Sequence, residues 1–196
     1  MEQLNNFQNY VSGLYARFSA HDAGLSDRLQ RYRNIEPESA QFLSILIRAQ
    51  QSKRVLEIGT STGYSTLWLA EALSDTQGHM VTLEIDAERS KEAEQHAQHL
   101  KLDHCIDFQV MDALNYLKSC QKQFDFILLD AERDAYVEYW NYLPQLLQRQ
   151  GGLLVVDNVL SHAEQVAEFK ALVDQDERFV SSTINIGAGL LLITFQ

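Results

Sequence analysis

Val55-Leu56-Glu57-Ile58-Gly59-Thr60-Ser61-Thr62-Gly63-Tyr64-Ser65 is a buried strand, a turn bounded by two glycines, and the opening of a helix. The helix continues through Thr66-Leu67-Trp68-Leu69-Ala70. Glycines let a backbone approach a ligand closely, and a helix N-terminus offers free N–H donors. A strand–turn–helix of this kind is the first βα unit of a doubly wound sheet with a nucleotide-like cofactor at its carboxyl edge. The spacing narrows the cofactor. A dinucleotide site uses G-x-G-x-x-G because the pyrophosphate lies almost on the main chain. Here the glycines are four apart, with Thr60, Ser61 and Thr62 between them. Such a loop suits a ligand without a diphosphate, of which S-adenosylmethionine is the common one. The competing reading is a tight turn with no ligand.

Outward from this unit the pattern alternates. Apolar, β-branched runs at Arg54–Ile58, Met80–Glu84, Ile106–Val110, Phe124–Leu129 and Leu153–Asp157 read as buried parallel strands. Helical patterns lie between and after them at Tyr64–Leu73, Ala87–Leu100, Ala113–Ser119, Ala135–Gln148 and His162–Asp174, with Pro144 set to break or kink the fourth. Gly151-Gly152 marks the turn before the fifth strand, and Phe179–Ile184 and Leu190–Phe195 read as a closing hairpin around Gly187-Ala188-Gly189. The prediction is an α/β, Rossmann-like, doubly wound sheet of seven strands, mostly parallel, with the last strand antiparallel. Residues 1–52 are predicted to form a helical cover on the 53–196 core, from helices at Leu4–Phe18, Leu25–Tyr32 and one starting at Pro37. At 196 residues this is one domain.

A net charge of −11, from 16 basic and 27 acidic residues, argues against a general nucleic-acid or anionic-membrane surface. The N-terminus does not read as a signal peptide, and no apolar run approaches the roughly 20 residues of a membrane span. Cys105 and Cys120 lack metal spacing and read as free thiols. The expected location is the cytoplasm.

Acidic residues close the strands. Glu84 ends strand two, where a carboxylate can accept both hydroxyls of a ribose, or cap the next helix. Asp112 follows strand three, as an acceptor for an adenine amino group, a helix N-cap, or both. Glu57 could pair with a ligand ammonium group or stay buried against the glycine loop. Asp130, Asp157 and Asn158 follow strands four and five, which are neighbours in this topology. Three oxygen donors without His or Cys suit a hard divalent ion, Mg²⁺ first, that two adjacent hydroxyls could chelate. Singly, each acid could be a helix cap.

These residues resemble the metal-dependent O-methyltransferases of the catechol and caffeoyl-CoA type, in their small bacterial form. The likeness is carried by Pro37-Glu38-x-x-Gln41-Phe42-Leu43, Val55–Ser65, Phe124–Tyr136, Gly151–Asn158 and Ile186-Gly187-x-Gly189-Leu190. It implies S-adenosylmethionine contacts from Glu57, Gly59, Thr60, Ser65, Glu84 and Ala113, with Ser61 in the same loop and Ile35 at the methionine end. It implies Asp130, Asp157 and Asn158 as metal ligands, a small hydroxylated acceptor, and a homodimer. Two departures stand out. Relatives usually carry Lys three residues after the first metal Asp; here it is Arg133, which stays protonated and cannot be a general base. Arg133 could instead anchor an anionic acceptor, or be a solvated loop charge paired with Glu132 or Asp134. His162 is the alternative proton acceptor, against a plain exposed helix-start His. Met111 stands where relatives often have Gly, and the N-terminal cover is short. Rival readings are a metal-independent methyltransferase, a non-catalytic S-adenosylmethionine-binding protein and, least favoured, an NAD-dependent oxidoreductase.

Overall fold

The computed structural model describes residues 2–196, with the side chains of residues 2–5 and 28 left aside. Seven strands form one sheet: β1 Arg54–Ile58, β2 His79–Glu84, β3 Ile106–Val110, β4 Phe126–Leu129, β5 Leu153–Val156, β6 Phe179–Ile184 and β7 Leu190–Phe195. Their order is β3-β2-β1-β4-β5-β7-β6. β1 to β5 pair in parallel, and β7 inserts antiparallel between β5 and β6. The order in which strands are added therefore reverses at β1, which is paired in parallel with β2 on one side and β4 on the other. That is the switch point where open α/β sheets bind ligands.

The helices are α1 Glu2–Ala23, α2 Pro37–Gln50, α3 Tyr64–Thr76, α4 Ala87–Leu100, α5 Ala113–Ser119, α6 Tyr136–Tyr139, α7 Leu143–Leu146 and α8 Ala163–Gln175. Successive strand residues point to opposite faces, so each parallel strand feeds two cores. Val55, Met80, Phe126, Leu128 and Val155 pack with α1, α2, α3 and the inner side of α4. Leu56, Ile58, Leu83, Ile127, Leu129 and Val156 pack with α5 to α8. Burial on both faces explains why the strands read as near-continuous apolar runs.

Three expectations need correction. Leu25–Tyr32 is not an α-helix; it holds only a 3₁₀ turn at Arg28–Gln30, while the first helix runs on to Ala23. Side chains supply this segment's hydrogen bonds instead: Asp22 accepts from the N–H groups of Tyr32 and Arg33 at 2.7 and 2.8 Å, and Arg31 donates to the Leu25 carbonyl. The helix expected over Ala135–Gln148 is two short pieces, α6 and α7, with Pro144 in the first turn of the second. Strand four begins at Phe126; Phe124 instead forms an isolated bridge to Leu147.

The turn glycines have an internal reason. Gly63 caps α3 with φ +90°, and a Cβ there would lie 2.7 Å from the Cβ of Ala93 on α4. Gly63→Ala combines a left-handed backbone with overpacking, for a loss of about 2–4 kcal/mol. Thermal unfolding should show Tm lowered by about 4–16 °C; an unchanged Tm would mean that α4 can move aside freely.

Candidate active site

The carboxyl edge of the sheet is held by a ladder that outlasts the strands. The N–H of Gly59 donates to Leu83 O, Met111 to Glu84 O, Asp130 to Ile58 O and Asp157 to Leu129 O, all at 2.9–3.1 Å. Each first residue past its strand is thus fixed by the neighbouring strand. At Gly59, φ is +105° and a Cβ would stand 1.9 Å from the Asp130 carbonyl oxygen. The glycine is required by the neighbouring strand end, before any ligand is considered.

On the cofactor side, Glu84 accepts from the N–H groups of Ser61 (2.7 Å), Ile85 and Asp86 (both 3.0 Å), locking the glycine loop to the end of β2. Asp86, not Glu84, caps α4 through the N–H groups of Glu88 and Arg89. Asp112 caps α5 by accepting from Asn115 N at 3.0 Å, with Ala113 as the first helical residue. Ser61 has φ +47° and donates its hydroxyl to the Tyr32 carbonyl at 2.7 Å. Asn34 donates to Thr62 Oγ1 at 2.8 Å, and Ile35 beside it is buried. Residues 32–35 therefore lie along the loop like a strap, held at their start by Asp22.

Glu57 is fully buried. Its carboxylate accepts from Ser65 Oγ and Thr66 Oγ1 at 2.6 Å and from Thr82 Oγ1 at 2.5 Å, and Thr60 Oγ1 lies 2.5 Å from Thr82 Oγ1. Its partners are hydroxyls of α3 and β2 rather than loop amides. Burial pushes its pKa up, against the pull of the three hydroxyl donors.

Asp130, Asp157 and Asn158 do converge. Asn158, with φ +67°, donates one amide nitrogen to Asp130 Oδ1 and Asp157 Oδ2, both at 3.0 Å. Asp157 is 1% exposed, and its other oxygen, Oδ1, is buried without a partner. Burial first, then its aspartate neighbour's charge, pushes Asp157 up to about 8; burial and the Glu57 charge push Asp130 up to about 7. The fully buried Tyr136 fixes the loop after Asp130, its hydroxyl accepting from Ala131 N at 3.1 Å and donating to Ala131 O at 3.2 Å.

Arg133 is not a solvated loop charge. It is 6% exposed, its Nε donates to Gln165 Oε1 on α8 at 2.7 Å, and its charge acts on both aspartates. Glu132 pairs instead with Arg33 at 2.6 Å. His162 precedes α8, with Nδ1 2.9 Å from Ser161 Oγ and its N–H donating to Asn158 O. Sequence reasoning passed over Arg33, Glu36, Tyr136 and Gln165, because their relation to the edge exists only through long-range packing. A cavity of about 840 Å³ opens at the opposite edge of the sheet, among Arg54, His79, His104 and Lys122. It contains none of the expected site residues; Asp130, Asp157 and Asn158 converge at the carboxyl edge instead.

A doubly wound sheet with this reversed order and an acid-lined carboxyl edge defines a nucleotide-cofactor enzyme class. A family profile described as O-methyltransferase matches residues 25–195. A catechol O-methyltransferase of Mycobacterium tuberculosis is 33% identical over 79% of this chain and 68% of its own length. One from Niastella koreensis is 32% identical over 69% of this chain, and the match spans 62% of that relative. The Streptomyces achromogenes O-methyltransferase TomG, solved with SAM, superposes with a TM-score of 0.74 at 26% identity, covering 83% of this chain and 82% of that one. The chain belongs to the O-methyltransferase family and is a methyltransferase enzyme.

The paired acids make a testable link to stability. Their folded pKa values lie above the 3.8 of an ordinary aspartate, so their contribution is full below about pH 4 and is lost as pH rises through about 7–8. In EDTA, wild type should lose Tm relative to Asp157→Asn between pH 5 and 8. Parallel Tm–pH curves for the two proteins would show that the pair is not strained by its charge.

Proposed function

We propose that this protein transfers the methyl group of S-adenosylmethionine to a hydroxyl of a small, catechol-like acceptor at a divalent-metal site. The observation that carries this reading is the trio Asp130, Asp157 and Asn158 beside the glycine loop, with a buried, partnerless oxygen on Asp157. The names of the catechol relatives support the acceptor class.

The cofactor would lie over Gly59–Gly63, its ribose toward Glu84, its adenine beside Asp112 and Ala113, and its methionine end toward Ile35. Glu57 takes part through Ser65 and the loop it braces, since its own oxygens are already taken by hydroxyls. The acceptor oxygen attacks the methyl carbon in line as the C–S bond to the sulfonium breaks, leaving a neutral thioether. Most of the rate then comes from positioning.

A hard divalent ion fits the trio: the donors are all oxygen, the carboxylates repel one another, and one carboxylate oxygen lacks a partner. Asn158 would turn its Oδ1 toward the ion in place of the amide nitrogen that now bridges the acids. When bound, the ion supplies Lewis acidity that lowers the pKa of an acceptor hydroxyl. Arg133 cannot take the acceptor's proton; buried beside the aspartates, it anchors an anionic group of the acceptor. His162, whose backbone N–H donates to the Asn158 carbonyl, is the neighbouring imidazole that receives the proton. A second copy of the chain would cover the exposed Ile45, flanked by half-buried Phe42 and Leu46 on α2.

One observation favours a second reading, a metal-independent methyltransferase: the Asn158 amide already closes the two acids on each other. S-adenosylhomocysteine release with catechols and caffeoyl esters, in Mg²⁺ or in EDTA, separates the two. We expect turnover that EDTA stops and that Asp130→Ala lowers by about 100-fold or more; turnover indifferent to both would discard the metal. Arg133→Ala should raise KM for acidic acceptors by about tenfold or more and leave neutral ones nearly unchanged. Equal effects on both kinds would remove the anchoring role.

A further inference from the structure

We infer that Glu36 is an outer carboxylate of the cation site, setting the ion's affinity by charge and not by direct ligation. This rests on the metal reading proposed above. Glu36 occupies the N-cap of α2, immediately before Pro37, with an extended backbone (φ −68°, ψ 151°), yet its side chain makes no cap to its own helix. Its Oε2 instead accepts from Ala188 N at 3.3 Å, across the turn between β6 and β7. A Cβ on Gly187 would lie 3.0 Å from that same oxygen, so the glycine leaves room for the carboxylate.

The turn that Glu36 grips is in direct contact with the metal edge. The carbonyl of Ala188 accepts from the N–H groups of Leu160 and Ser161, and Gly189 O accepts from Val159 N. Residues 159–161 continue straight from Asp157 and Asn158. Glu36 is thereby tied by two tertiary hydrogen-bond steps to the segment that follows the trio, and its negative charge acts on both Asp130 and Asp157. Independently, the partnerless oxygen of Asp157, on a residue 1% exposed, marks a place for a cation at this cluster. Among the described residues no group of three or more His, Cys, Asp or Glu side chains is close enough to hold a metal directly. That limits Glu36 to the outer shell, where a charge tunes affinity without binding the ion.

Glu36→Gln tests this cleanly, because the amide oxygen can still accept from Ala188 N while the charge is lost. Mn²⁺ would be titrated into the full-length wild type, Glu36→Gln, Glu36→Asp and Asp157→Asn proteins. Free Mn²⁺ is read by electron paramagnetic resonance, with S-adenosylhomocysteine binding as the check on folding. The expected result is an Mn²⁺ Kd about 10-fold higher for Glu36→Gln, partly restored in Glu36→Asp, with S-adenosylhomocysteine affinity unchanged. If Glu36→Gln binds Mn²⁺ as wild type does while Asp157→Asn loses it, Glu36 is only a tether for the turn and the inference fails. If wild type itself binds no Mn²⁺ at millimolar concentration, the metal reading fails and takes this inference with it.

Discussion

The end of β1 touches the end of β4 so closely that only glycine fits at position 59. With the Asp130 carbonyl oxygen where a side chain would begin, the cofactor turn and the first acid of the trio cannot be moved independently. Their N–H groups are secured in the same way, Gly59 to β2 and Asp130 to β1. A site built on such a ladder inherits the rigidity of the sheet, which suits a reaction that depends mainly on alignment. Tyr136 extends the arrangement by clamping the residue after Asp130 from within the second core.

The electrostatics of the edge follow from that crowding. The charge of Glu36 bears on both Asp130 and Asp157 and that of Glu57 on Asp130, while Arg133 opposes at both aspartates and Arg33 at Asp130. Burial makes each carboxylate costly to charge, so the folded protein stores an unmet demand for positive charge at one place. Glu57 differs from the rest. Three hydroxyls satisfy it internally, and it reads as a brace joining β1, β2 and α3. Replacement of the usual Lys by Arg133 also becomes intelligible: a guanidinium held by Gln165 can orient an anion in a buried place, though it cannot accept a proton.

The segment joining the helical cover to the core is where the chain's organisation was least visible in advance. Residues 25–32 carry helix-compatible side chains, but Gly24 ends α1 and Asp22 captures the N–H groups of Tyr32 and Arg33. The backbone then passes along the glycine loop, with Arg33 in the left-handed region (φ +55°), donating and accepting through Asn34 and the Tyr32 carbonyl. Competition between side-chain and helical hydrogen bonds settles such a segment, and local periodicity does not register it.

The sequence by itself determined the seven-stranded order of elements, the glycine turn and the acids at the strand ends. Hydrophobic period and turn residues are local signals, and parallel strands buried on both faces make them strong. Placing Asp130 beside Asp157 also followed, because the topology makes β4 and β5 neighbours. Only the tertiary structure decided that Glu57 is enclosed by hydroxyls, that Arg133 is buried against Gln165, and that Glu36 reaches over Gly187 to Ala188. Those facts depend on contacts between residues 8 to more than 150 positions apart. No local pattern encodes such contacts; packing of the cover and the closing hairpin onto the sheet creates them.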